Sequence, residues 1–297
     1  MKPAVAISRR VQLDNIILAT DFSHTAEAAL PFAARIAKSF GAKLFAVHAK
    51  TPENYAVGVP EVWPEVIAQL EENKVELTRN LYNRFPSVES EVLIGEGGVC
   101  AVIEAAADKK KADLIVVGTS GRRGIGKFVL GSVAEEILRR AKCPVLTVGP
   151  YSRSEPLEGT EFKKIVYATN FGEASPAAAA YAMAFAQEYQ AHLTLLHVIE
   201  HPKAGELVRP HELEAAAIDH LRGLLPRDAD LWCEPKAIVL HGSPAEKILA
   251  TAEKEKADLI VMGVREAKGA ARATHLPAAV LHQVVSQANC PVLTVRA

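Results

Sequence analysis

Three segments of this chain occur twice, in the same order and at nearly the same distance. Asn15-Ile-Ile-Leu-Ala-Thr-Asp21-Phe22 is echoed by Lys164-Ile-Val-Tyr-Ala-Thr-Asn170-Phe171. Lys111-Ala-Asp-Leu-Ile-Val-Val-Gly118 returns as Lys256-Ala-Asp-Leu-Ile-Val-Met-Gly263, and Cys143-Pro-Val-Leu-Thr-Val148 as Cys290-Pro-Val-Leu-Thr-Val295. The offsets are 149, 145 and 147 residues. A repeat of that length is a duplicated domain, because solenoid and propeller units run to only about 20–50 residues. The copies are expected over 1–149 and 150–297, each the size of an ordinary domain. A linker is expected at 149–161, where Pro150, Pro156 and Gly159 punctuate Ser and Glu residues.

Each copy reads β-α-β-α-β-α-β-α-β. In the first, Ile16–Thr20 and Leu44–Ala49 are short apolar runs of the kind buried on both faces of a parallel sheet. The helix between them is expected to start after a Ser23 cap, to carry Ala29, Leu30, Ala33, Ala37 and Phe40 on its apolar side, and to stop at Gly41. A second helix is expected over about Trp63–Phe85, a third strand near Val92–Ile94 and a third helix near Val99–Lys109. Alternation of this kind implies a parallel sheet with helices on both faces. Ligands of such sheets bind beyond the carboxyl ends of the strands, where the strand order reverses. If strands one and four flank that reversal, Thr20–Asp21 and Gly118–Gly121 face one crevice.

The stretch from Ala112 to Val148 carries the chemistry. Between its two strands lie Gly118, Gly121, Gly124, Gly126 and Gly131, five glycines in fourteen residues. They leave backbone N–H groups uncovered, as a phosphate cradle requires. Gly131 and Ser132 stand at the start of the next helix, whose free N–H groups and dipole favour an anion, and Ser132 can cap or donate there. Gly121-Arg-Arg-Gly-Ile-Gly126-Lys127 meets the first seven positions of a P-loop, but Phe128 stands where Ser or Thr should hold Mg²⁺. A dinucleotide G-x-G-x-x-G does not open a helix after the first strand either. Arg122, Arg123 and Lys127 are read as solvated loop charges.

Other classes are set aside by composition. The formal net charge is −1, so no basic excess argues for nucleic acid. No apolar run has the length of a membrane span. Met1–Leu13 lacks the apolar core of a secretory signal. Cys100, Cys143, Cys233 and Cys290 have no C-x-x-C spacing and are read as buried thiols of a reducing cytoplasm. Eight of the ten histidines lie in the second copy, with no metal-ligand spacing, and are read as scattered surface groups.

Gly118-x-x-Gly121, nine residues, then Gly131-Ser132, resembles the nucleotide motif of the universal stress protein family. Asp21 after strand one, His48-Ala49 ending strand two and Cys143-Pro-Val closing the domain extend the resemblance over nearly the whole chain, twice. It implies two tandem, doubly wound five-stranded α/β domains of strand order 3-2-1-4-5. It also implies ATP binding, with Mg²⁺ held through the phosphates and a role in stress response or signalling. By position, Ala19, Thr20, Asp21 and the backbone of Ala49 would line the adenosine side. Val117, Gly118, Gly121, Gly131, Ser132 and Val133 would hold ribose and phosphates.

The second copy departs from this pattern. Asn170 replaces the acid, Glu266 stands where the second loop glycine belongs, and the last glycine is lost within Leu276-Pro-Ala-Ala279. A carboxylate would face the phosphate position and Pro277 removes a donor, so nucleotide binding is expected in the first half only. Family pairing through the fifth strands predicts contact between Pro144–Val148 and Pro291–Val295, within the chain about a pseudo-twofold axis or in a homodimer. The protein partner is not encoded. Two alternatives remain: a slow Mg-dependent ATP hydrolase, disfavoured by the missing Walker groups, and a nucleotide-free interaction scaffold.

Overall fold

The computed structural model describes residues 11–51, 63–119, 130–150, 152, 161–200, 210–226, 229, 233–264 and 279–296, with backbone alone at 24, 25, 63–66 and 210. The chain divides into two units, Gln12–Pro150 and Tyr151–Ala297. The first contains strands β1 (Asn15–Ala19), β2 (Lys43–Lys50), β3 (Ser90–Glu96), β4 (Leu114–Gly118) and β5 (Val145–Val148). They lie in the order β3-β2-β1-β4-β5, every pair parallel. The second repeats this with β6 (Lys164–Thr169), β7 (His192–Ile199), β8 (Pro235–His241), β9 (Leu259–Val264) and β10 (Val292–Arg296). Its order, from β8, is β8-β7-β6-β9-β10, again parallel. This is the expected doubly wound α/β class. Ile16, Ile17 and Leu18 are at most 1% exposed, so the central strand is covered on both faces. Burying each such side chain is worth about 1.5–3 kcal/mol.

The repeated Ala-Asp-Leu-Ile-Val segment has a specific cause at the amino end of each sheet. Asp113 Oδ2 accepts the backbone N–H groups of Asp14 and Asn15, at 2.8 and 3.0 Å. Asp258 Oδ2 does the same for Lys163 and Lys164, at 3.0 and 2.9 Å. One carboxylate oxygen therefore fastens the entry of the central strand to its neighbour, with charge-assisted bonds.

The first helix departs from expectation. Ser23 Oγ accepts the Ala26 N–H at 3.2 Å, capping a helix α1 of only His24–Glu27. Helix α2 then runs from Leu30 to Phe40. The break is due to Pro31, which has no N–H and whose ring would strike the Glu27 carbonyl in a continuous helix. Gly41 ends α2 at φ 69°, the left-handed conformation that favours glycine. Helices α3 (Trp63–Arg84), α4 (Val99–Lys110) and α5 (Ser132–Arg140) complete the first unit. Strand β3 is longer than the sequence suggested, because its ends, exposed at Ser90 and Glu96, lack the apolar run that marks a buried strand. The second unit carries α6 (Ser175–Tyr189), α7 (Pro210–Gly223), α8 (Pro244–Glu255) and α9 (Ala279–Gln287).

Candidate functional site

The strand order reverses between β1 and β4, and the crevice at their carboxyl ends is where a doubly wound sheet takes a ligand. Ala19 and Val117 are direct neighbours across that point, 6% and 4% exposed, so they form its floor. Beyond Ala19 the chain turns sharply. Thr20 Oγ1 accepts the Phe22 N–H at 3.1 Å, and Asp21 Oδ1 accepts the Ser23 N–H at 3.0 Å. Phe22 sits at φ 58°, a left-handed conformation that costs a non-glycine residue about 1–2 kcal/mol. Its ring packs on the His48 ring, centroids 4.4 Å apart. Asp21 thus lies half-buried at the mouth of the crevice.

The other wall comes from β4 and α5. Gly118 ends β4. The buried Thr119 then donates its N–H to the Val148 carbonyl at 2.9 Å and accepts the Gly131 N–H at 2.7 Å. That second bond brings the start of α5 back to the end of β4. Gly131 is the N-cap residue, with φ −63° and ψ 143° and no side-chain cap. Ser132 is therefore the first helical residue rather than the cap, and it is exposed. The N–H groups of Ser132, Val133 and Ala134 have no partner within the helix, as at any helix start. Gly121, Gly124, Gly126, Arg122, Arg123 and Lys127 lie outside the described residues.

Strand β2 outruns β1. Val47 directs its carbonyl at Thr20 N–H, and alternation along a strand turns the backbone of Ala49 the same way, toward the β1 side. By then β1 has ended, so those groups face the crevice. The structure brings Ala19, Thr20, Asp21, Ala49, Val117, Gly118, Gly131, Ser132 and Val133 to the carboxyl ends of β1, β2 and β4.

The second unit serves as an internal control. Thr169 Oγ1 accepts the Phe171 N–H at 3.0 Å, Asn170 Oδ1 accepts the Gly172 N–H at 3.0 Å, and Phe171 has φ 56°. A neutral amide thus builds the same turn that Asp21 builds. A Cβ on Gly263, the counterpart of Gly118, would stand 3.1 Å from atoms of Ala174. Packing therefore accounts for that glycine. Glu266, Pro277 and His275 lie outside the described residues.

His241 Nε2 lies 2.6 Å from Glu214 Oε1, and His220 stacks on Phe171 at 4.2 Å between centroids. Among the described residues no three His, Cys, Asp or Glu side chains cluster as metal ligands. Burial pushes the Cys100 thiol up to about 12 and the Cys143 thiol up to about 11. Thiols held protonated in this way are poor nucleophiles. Among the described residues no helix is long and apolar enough to cross a membrane.

Sequence reasoning quoted His48 but missed what it does. Its Nδ1 lies 2.8 Å from the Thr20 carbonyl, and His197 Nδ1 lies 2.8 Å from that of Thr169. Both pairs are 28 residues apart, and that recurring Thr–His spacing was the available signal.

Fold and crevice together define a tandem doubly wound α/β protein whose two switch points have diverged. The chain belongs to the universal stress protein family, whose model matches residues 12–149 and again 161–296. It is 35% identical over 139 residues to a universal stress protein of Methanocaldococcus jannaschii, a match covering 45% of this chain and 80% of that one. A universal stress protein of Thermus aquaticus is also 35% identical, over 134 residues, or 45% of this chain and 96% of that one. Among solved structures, a universal stress protein of Archaeoglobus fulgidus superposes with a TM-score of 0.71 at 20% identity, over 96% of this chain and 99% of that one. At that identity the likeness is one of fold.

Proposed function

We propose that this protein is a cytoplasmic ATP receptor of stress response, with nucleotide held by the first unit only and its occupancy read by a protein partner. The observation that carries this reading is the pair Asp21 and Asn170. Both make the same side-chain bond to the backbone two residues on, at 3.0 Å, so the turn does not require a charge. A carboxylate retained at the crevice mouth of one unit then adds a negative charge that suits a ligand bearing hydroxyl or amine donors, as a ribose or adenine does.

The residues present fit such a ligand. Asp21 and the backbone of Ala49 would take the adenosine end, above the floor made by Ala19, Thr20 and Val117. The helix-start N–H groups at Ser132 and Val133, with Gly118, Gly121 and Gly131 leaving the backbone uncovered, would take the phosphates. Mg²⁺ would be carried by those phosphates. The test is direct: the purified protein is denatured, any released nucleotide is identified, and phosphate release from added MgATP is followed. Bound or added ATP that stays intact supports the receptor. Steady phosphate release favours the hydrolase, and no affinity for ATP favours the scaffold.

A further inference from the structure

We infer that His48 is a positioning residue of the first crevice: its imidazole holds the Thr20 carbonyl where the β1–β2 ladder ends, with the Ala49 N–H directed at the crevice. The consequence for affinity rests on the nucleotide reading above; the geometry does not.

In a parallel ladder a residue donates to the residue before its partner and accepts from the residue after it. Pairing of β1 with β2 ends at Ala19↔Val47, so the next position sets Thr20 beside His48. Half of the expected pattern is made, since Thr20 N–H reaches the Val47 carbonyl at 3.0 Å. The other half would be Ala49 N–H to the Thr20 carbonyl. The ladder does not close there, and the carbonyl instead receives His48 Nδ1 at 2.8 Å. A carbonyl oxygen only accepts, so Nδ1 carries the proton and the tautomer is fixed. The imidazole is 2% exposed, and the Phe22 ring lies against it. One side chain therefore holds both the Thr20 carbonyl and the left-handed residue that follows Asp21.

The second unit has the same imidazole bond, from His197 to Thr169. Its ladder nevertheless runs one residue further, to Thr169↔His197. There the carbonyl serves imidazole and ladder together through its two lone pairs, and the N–H of Val198, the counterpart of Ala49, is committed. The difference falls in the unit whose turn has also lost its carboxylate.

The test uses the full chain and the variants His48→Leu, His48→Asn and His197→Leu. Residue-resolved amide exchange needs no ligand. In the native protein the Ala49 amide should exchange at least about tenfold faster than that of Val198. In His48→Leu the freed carbonyl should take the Ala49 N–H and slow it by about tenfold, and in His48→Asn, whose amide nitrogen stands in for Nδ1, exchange should be fast again. With ATP as probe, His48→Leu should bind about tenfold more weakly, His48→Asn should recover most of that, and His197→Leu should bind as the native chain does. Equal protection of Ala49 and Val198 in the native protein, or unchanged Ala49 exchange in His48→Leu, overturns the inference. A native chain that fails to bind ATP but shows the exchange pattern overturns the nucleotide reading and leaves His48 in its place.

Discussion

Replacing Asp21 by Asn separates the turn from the ligand. The variant keeps an acceptor for Ser23 N–H, and the second unit shows that an Asn oxygen makes this bond at the same 3.0 Å. The change in unfolding free energy should therefore stay within about 0.5 kcal/mol. Binding should respond differently. A hydrogen bond to a charged group contributes about 1.5–3 kcal/mol, against about 0.5–1.5 for a neutral one. Losing the charge at one contact thus costs about 1–2 kcal/mol, or about 5- to 30-fold in Kd. Calorimetric titration with MgATP reads the affinity, and thermal unfolding of the same samples reads the fold. Native affinity in Asp21→Asn would refute the role given to the carboxylate. A large loss of stability would refute the internal comparison on which it rests.

Three further outcomes follow from the same geometry. Gly131→Val should leave the fold intact, because φ −63° and ψ 143° suit any residue, yet weaken ATP binding by about tenfold or more if backbone must approach phosphate there; Gly118 is a poorer test, since its counterpart Gly263 is fixed by packing. Asp113→Ala leaves two backbone donors without their carboxylate and should destabilise the first unit by about 1–3 kcal/mol in urea unfolding, with Asp258→Ala doing the same to the second. The Cys100 and Cys143 thiols are raised to about 12 and about 11 in the folded chain, so their contribution to stability is complete below the ordinary thiol range and is lost as pH climbs through the folded values. Melting temperature should fall over that alkaline window, and more gently in the double serine variant.

The repeat made most of the fold legible. Strands β1, β4 and β5 and their copies are short apolar runs, and a parallel sheet is the arrangement that buries both faces of such runs. What escaped depends on contacts between residues distant in sequence. Asp113 reaches the N–H groups of residues 98 and 99 positions earlier, and no periodicity encodes that. The split of the first helix was visible at Pro31, but the apolar spacing on either side reads as one continuous face. Ser132 looked like a cap by residue type, whereas Gly131 fills that position with its backbone alone. The Asp21 turn was legible only as the approach to a helix capped by Ser23. Its real origin, a side-chain acceptor under a left-handed Phe22 braced by His48, needed the backbone angles.

The most direct test of the account is the number of ATP molecules bound per chain, measured by equilibrium titration of the full-length protein with MgATP at protein concentrations well above Kd. Two copies of the fold, of which only the first keeps an acid at the position of Asp21, predict one site per chain, abolished together with binding heat by combining Asp21→Asn with Gly131→Val. Two equivalent sites would show that Asn170 serves as well as Asp21, and none would show that the first crevice is not a nucleotide site.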